Sequence, residues 1–104
     1  MKNSVPSYTI EEAQEKLERY CAYQERSHKQ VEEQLYKMRM IPKAQEVIIT
    51  HLIQHNFLNE SRFAQAFSRG KFRIKKWGKK RITQELKRHG VSAYNIKLMI
   101  RRPP

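Results

Sequence analysis

From Ile10 to Ile100 the apolar residues of this chain recur three and four positions apart, and a capping residue stands where most such runs begin. That spacing collects side chains on one face of a helix, whereas a strand needs a period of two. No segment keeps strict apolar–polar alternation over the roughly four to eight residues of a strand. The pattern therefore predicts an all-α protein.

The capping signals place the helices. Thr9-Ile-Glu-Glu12 has the form of a capping box, in which the threonine accepts from the third helical N–H and the glutamate reaches back. Ile10, Ala13, Leu17, Tyr20 and Cys21 follow at helical intervals, predicting a helix over about 10–25. Ser27-His-Lys-Gln30 repeats the box, and Val31, Leu35 and Met38 predict a second helix over about 28–38. Ile41-Pro42 breaks the chain and opens a third, about 43–55, on Ala44, Ile48 and Leu52. Asn56 suits the left-handed position after it. Phe57-Leu58 forms an apolar connector and Asn59 a cap. Phe63, Phe67, Gly70, Ile74 and Trp77 then make one stripe, predicting a long fourth helix over about 60–76 that stops at Gly78. A fifth, about 79–89, carries Ile82, Leu86 and His89 and ends at Gly90. Ser92 caps a sixth, with Ile96, Met99 and Ile100 inward.

Shifting the chain by 51 residues lays Val31 on Ile82, Leu35 on Leu86, Met38 on His89 and Ile48 on Met99, although polar Gln45 falls on Ile96. Short helical units that bury their faces against neighbours are the logic of repeats. The expected organisation is an N-terminal helix (1–26), a first three-helix module (27–77) and the start of a second, incomplete three-helix module (78–104). An incomplete module leaves the Ile82, Leu86, Ile96 and Met99 seam open to self-association.

Charge then narrows the function. The 104 residues carry 22 Lys and Arg against 10 acids, all Glu, for a net charge of +12. Residues 1–68 hold nine of each sign, whereas residues 69–104 hold thirteen Lys or Arg and one acid, Glu85. Such asymmetry points to a polyanionic partner, because dense Lys and Arg release counterions when they meet phosphates. The candidate contact residues are Arg69, Lys71, Phe72, Arg73, Lys75, Lys76, Lys79, Lys80, Arg81, Lys87 and Arg88. On a continuous fourth helix, Arg69, Phe72, Arg73 and Lys76 share a face away from the apolar stripe, suiting phosphate contact with base stacking. Trp77 continues the stripe and reads as core. The fifth and sixth helices, joined at Arg88-His-Gly-Val-Ser92, also have the form of a helix-turn-helix.

Catalytic chemistry finds little support. Cys21 lies on the apolar stripe of the first helix and reads as a small buried hydrophobe. His51 and His55 have a spacing that puts two ligands on one helical face, but no third ligand is evident. There is no Gly-rich phosphate loop, and residues 61–104 contain a single carboxylate side chain, Glu85. The reading is a binding protein with no enzymatic role and neither cofactor nor metal. With no apolar run near the roughly 20 residues of a membrane span, no apolar leader and one cysteine, a soluble cytoplasmic protein is expected.

Three stretches together resemble the RecX family of recombination regulators: Tyr23-Gln-Glu-Arg-Ser27 with Val31 and Leu35; Phe57-Leu-Asn-Glu-Ser-Arg-Phe-Ala64; and Lys71 through Gly78, followed by Arg81-Ile82, Glu85-Leu86, Gly90-Val91 and Ile96. The resemblance covers about 23–100. It implies tandem three-helix, homeodomain-like modules. It also implies binding to the RecA recombinase filament on single-stranded DNA, with modulation, mostly inhibition, of recombinase activity. The basic fourth and fifth helices would be the contact surface. Asn59 stands where the family usually has Asp, and Arg39 where it usually has Gly. Family members generally carry a third module, and the chain stops at Arg101-Arg-Pro-Pro104. Two rival readings are a basic nucleic-acid-binding module without a recombinase partner and a protein-interaction adaptor.

Overall fold

The computed structural model describes residues 7–101, which form six helices: α1 (Ile10–Tyr23), α2 (His28–Lys37), α3 (Pro42–Gln54), α4 (Glu60–Arg73), α5 (Lys79–Arg88) and α6 (Ala93–Arg101). No strand occurs among the described residues. Arg102-Pro-Pro104, the end of the chain, lies outside them.

Both capping boxes form. The Thr9 amide donates to Glu12 Oε1 at 2.9 Å and Glu12 returns its amide to Thr9 Oγ1 at 3.0 Å. The Ser27 amide donates to Gln30 Oε1 at 2.9 Å, and the Gln30 amide to Ser27 Oγ at 3.1 Å. Each box satisfies helix-end N–H groups that the helix itself leaves unpaired. Asn59 caps α4, accepting the Arg62 amide at 2.8 Å.

The helices bury their apolar faces in two separate cores. Ala13, Leu17 and Cys21 of α1 meet Val31, Leu35 and Met38 from α2 and its C-cap, with Ile48, Leu52 and Leu58 closing the cluster. Phe63 and Ala64 of α4 meet Ile82 and Leu86 of α5, with Val91 and Ile96. The modules are therefore α1–α3 and α4–α6, and the boundary falls at Leu58–Asn59. This corrects the division at residues 26 and 77. The long helix α4 belongs wholly to the second module, which is a three-helix unit rather than the start of one. Ile82, Leu86 and Ile96 are buried in it, with Met99 packed against them, so the seam expected to stay open is largely closed.

The 51-residue shift survives this correction and gains helices. It carries the first residue of α2 (His28) onto that of α5 (Lys79), and the first of α3 (Pro42) onto that of α6 (Ala93). It also lays Ala13 on Ala64, both buried. The turns match as well. Arg39 at φ 60° and Gly90 at φ 78° occupy equivalent left-handed positions. The following amides, Met40 and Val91, return to Leu35 O and Leu86 O at 3.1 and 3.0 Å. These close the helix ends by the bond from C″ to C3 that typifies a left-handed C-terminal turn. Asn56, at φ 64°, takes the left-handed place expected of it.

α4 is shorter than its stripe implied. It ends at Arg73; Ile74 is the C-cap and is 78% exposed, so the stripe stops short of it. The chain bends back through Lys76, at φ 61°, and the Trp77 amide donates to Lys71 O at 3.0 Å. That return lets Trp77 pack on the second core although no helix carries it there.

The modules meet through polar bridges. Arg62 Nε donates to Glu25 Oε2 at 2.9 Å and its Nη2 to Asn56 O at 2.7 Å. Lys29 Nζ donates to Arg88 O at 3.1 Å. No helix of the described residues is long and apolar enough to cross a membrane.

Candidate functional site

The module boundary sharpens the charge asymmetry. Residues 7–58 carry seven Lys or Arg and eight Glu, close to neutral; residues 59–101 carry thirteen Lys or Arg and only Glu60 and Glu85. Of the eleven candidate contact residues, ten are exposed: Arg69, Phe72, Arg73, Lys75, Lys76, Lys79, Lys80, Arg81, Lys87 and Arg88. Lys71 is half-buried.

Three local devices display them. The C-terminal part of α4 carries Arg69, Phe72 and Arg73, while Phe63, Ala64 and Ser68 face inward. The return loop after Arg73 holds Lys75 and Lys76. α5 sets Lys79, Lys80, Arg81, Lys87 and Arg88 around its buried Ile82 and Leu86. Because α4 ends at Arg73, Lys76 does not extend the Arg69–Phe72–Arg73 face by helical register; the loop places it instead.

Trp77 sits among cations. Arg81 lies 3.9 Å from the ring centroid and Lys71 4.8 Å, and Phe67 meets the indole edge-on at 6.4 Å. Cations over an indole face are attracted by its quadrupole. The ring is thus half-buried and flanked, as a core-edge residue rather than a bare stacking platform. On α5, Arg88 Nη1 donates to Glu85 Oε2 at 2.9 Å, yet the Arg88 side chain remains 76% exposed.

One functional-looking group escaped sequence reasoning. Glu60 Oε2 accepts from the Ser92 amide at 3.2 Å, from Ser92 Oγ at 2.7 Å and from Asn95 Nδ2. Glu60 thereby caps α6 from another helix, a contact 32 residues away for which no local signal exists. Burial pushes its carboxyl upward, but the hydrogen bonds from Asn95 and Ser92 and the nearby His28 outweigh it, and the net direction is down.

The remaining titratable residues serve the fold. His51 Nε2 lies 2.7 Å from Glu18 Oε2, joining α3 to α1, and its ring lies tilted against that of His55 at 4.3 Å between centroids. Among the described residues no group of three or more His, Cys, Asp or Glu is placed to hold a metal ion. Burial pushes the Cys21 thiol up to about 11, so it carries little thiolate at neutral pH.

Fold and surface together define a tandem three-helix protein, one module near neutral and the other strongly basic. Residues 59–98 match the family described as "RecX, second three-helix domain", a span that runs from the cap of α4 into α6. Two relatives named "Regulatory protein RecX" are similar over most of the chain. The one from Lactobacillus gasseri is 34% identical over 74 residues, 71% of this chain. The one from Lactobacillus johnsonii is 36% identical over 73 residues, 70% of this chain. In both cases the matched region is 27% of the relative's length. The chain thus carries a match to the RecX family's second three-helix domain and is similar to RecX regulatory proteins over about 70% of its own length. No solved structure matches it significantly.

Proposed function

We propose that this chain regulates a RecA recombinase filament assembled on single-stranded DNA, mostly by inhibition. The observation that carries the proposal is the confinement of the surplus positive charge to the module that matches the family's second three-helix domain. The mechanism is occlusion. The exposed cations of α4, the return loop and α5 dock along a polyanionic groove and block filament growth or strand exchange. The near-neutral first module supplies bulk, and no cofactor takes part.

ATP hydrolysis by a RecA filament on single-stranded DNA, with this chain titrated in, tests the proposal. Inhibition well below one copy per recombinase monomer supports capping or groove blocking. No effect at excess protein overturns it for the chain as it stands.

A second reading, nucleic-acid binding without a recombinase, is favoured by the exposed Phe72 beside exposed Arg69 and Arg73 on α4, an aromatic ring among cations. The partner required separates the two. Under the second reading single strands bind the chain alone and weaken steeply with salt, at a slope near −0.7 per phosphate contacted, whereas the first has no effect without recombinase.

A further inference from the structure

The internal repeat exposes a difference between the two cores. Leu17 of α1 is buried in the first module, and the 51-residue shift places Ser68 of α4 at its counterpart. Ser68 is equally buried, at 2% exposure, but it is small and its hydroxyl has no hydrogen-bond partner. Beside it the structure holds an apolar cavity of about 50 Å³ between α4, α5 and α6, bordered by Ile82, Leu86, Met99 and Ile100. Phe72 and Lys79 stand at its rim. Phe72 occupies the position equivalent to buried Cys21, yet it is 52% exposed and leaves the mouth open. Close-packed cores rarely keep such a void, and a buried hydroxyl without a partner is rarer still.

We infer that this cavity is an anchor pocket for one slim apolar side chain, methionine by preference, presented by an acidic segment of a protein partner. The volume admits part of one unbranched side chain, not a small-molecule ligand. The wall is mainly aliphatic, with Thr83 also lining it, and the thioether sulfur of methionine is an apolar-chain atom able to accept from the Ser68 hydroxyl. The flanking chemistry follows from charge complementarity. Lys79 is on the rim and Arg69, Arg73 and Lys80 lie exposed on the same two helices, so acids beside the anchor meet cations and bases are repelled. The pocket goes beyond the regulatory reading and does not depend on which protein supplies the segment.

The test uses the full chain and synthetic peptides, followed by methyl NMR of Ile82, Leu86, Met99 and Ile100. A Glu-Glu-Met-Glu-Glu peptide with blocked ends shifts these methyls. Its Glu-Glu-Ala-Glu-Glu counterpart binds about tenfold more weakly or less, a difference within reach of one partly buried side chain. Lys-Lys-Met-Lys-Lys does not bind. Ser68→Leu, which places in α4 the residue found at the equivalent site in α1, fills the cavity and removes the preference for methionine. Equal binding of the Met and Ala peptides to the wild-type chain overturns the anchor, even if Ser68→Leu fails to fold. Equal binding of the lysine peptide overturns the acidic partner. Pocket-methyl shifts with oligothymidylate as large as those with the Met peptide assign the cavity to a nucleic-acid face and overturn the proposal. None of these readouts involves recombinase, so the regulatory reading stands or falls separately.

Discussion

At the scale of the residue, most of the stability rests on a few large apolar side chains, and Phe63 is the test case. It is 4% exposed, sits against Phe67 with ring centroids 5.6 Å apart, and meets the His89 ring edge-on at 5.2 Å. Phe63→Ala is expected to cost about 3–5 kcal/mol, as large core aromatics do, measured by urea unfolding. A loss below about 1 kcal/mol would show that the second core is looser than the packing describes. Phe63 was legible from spacing alone, because it opens an apolar stripe on a capped helix. Ile74 was not. It satisfies the same spacing, but a stripe has no means of saying where the helix beneath it stops. Backbone strain at Arg39 is the converse case, since a single residue there announces its own cost. A side chain at φ 60° crowds its backbone, and glycine does not. Arg39→Gly relieves left-handed strain of about 1–2 kcal/mol against an added chain-entropy cost of about 0.5–1 kcal/mol, so a small net stabilisation is expected, read as an upward shift of the urea midpoint with unchanged slope. Gly90, the equivalent residue, already has this freedom.

At the scale of the element, the caps show which contacts are local and which are not. Thr9, Ser27 and Asn59 each bond a backbone amide three residues ahead, and the sequence displays both partners side by side. Glu60 caps α6 across the module, and its partners become neighbours only when α4 packs on α6. Its pH dependence follows from the direction of its shift. A carboxyl held below its ordinary value, near 4.3, stabilises the fold fully above that value. The contribution disappears as pH falls through the lowered folded value. The urea midpoint of the wild type is therefore expected to exceed that of Glu60→Gln near pH 6 and to converge on it as pH falls below the ordinary carboxylate range. A constant difference across that range would mean that the charge of Glu60 is not what holds α6. The helix ends also explain the misplaced module boundary. Four consecutive helices offer two ways to group three, and α4 carries an apolar face that suits either neighbour.

At the scale of the whole molecule, the two modules differ in charge far more than in fold. Reversing charge at Arg73, Lys76 and Lys80 together is expected to abolish filament inhibition while circular dichroism shows unchanged helical content. All three residues are exposed and none contributes to a core. Retained inhibition would move the contact surface to another part of the chain. The sequence by itself determined the all-α class, the start of each helix, the 51-residue repeat and the basic third of the chain. Each of these is written in residues that are near one another or in a simple period. Tertiary structure decided which helices share a core, where α4 ends, that Trp77 returns to the second core, and that Glu60 caps α6. It also decided that Ser68 faces a cavity where Leu17 fills its own core. Periodicity reports which face of a helix is buried, but the identity of the covering element depends on competing packings, and only the folded chain resolves that competition.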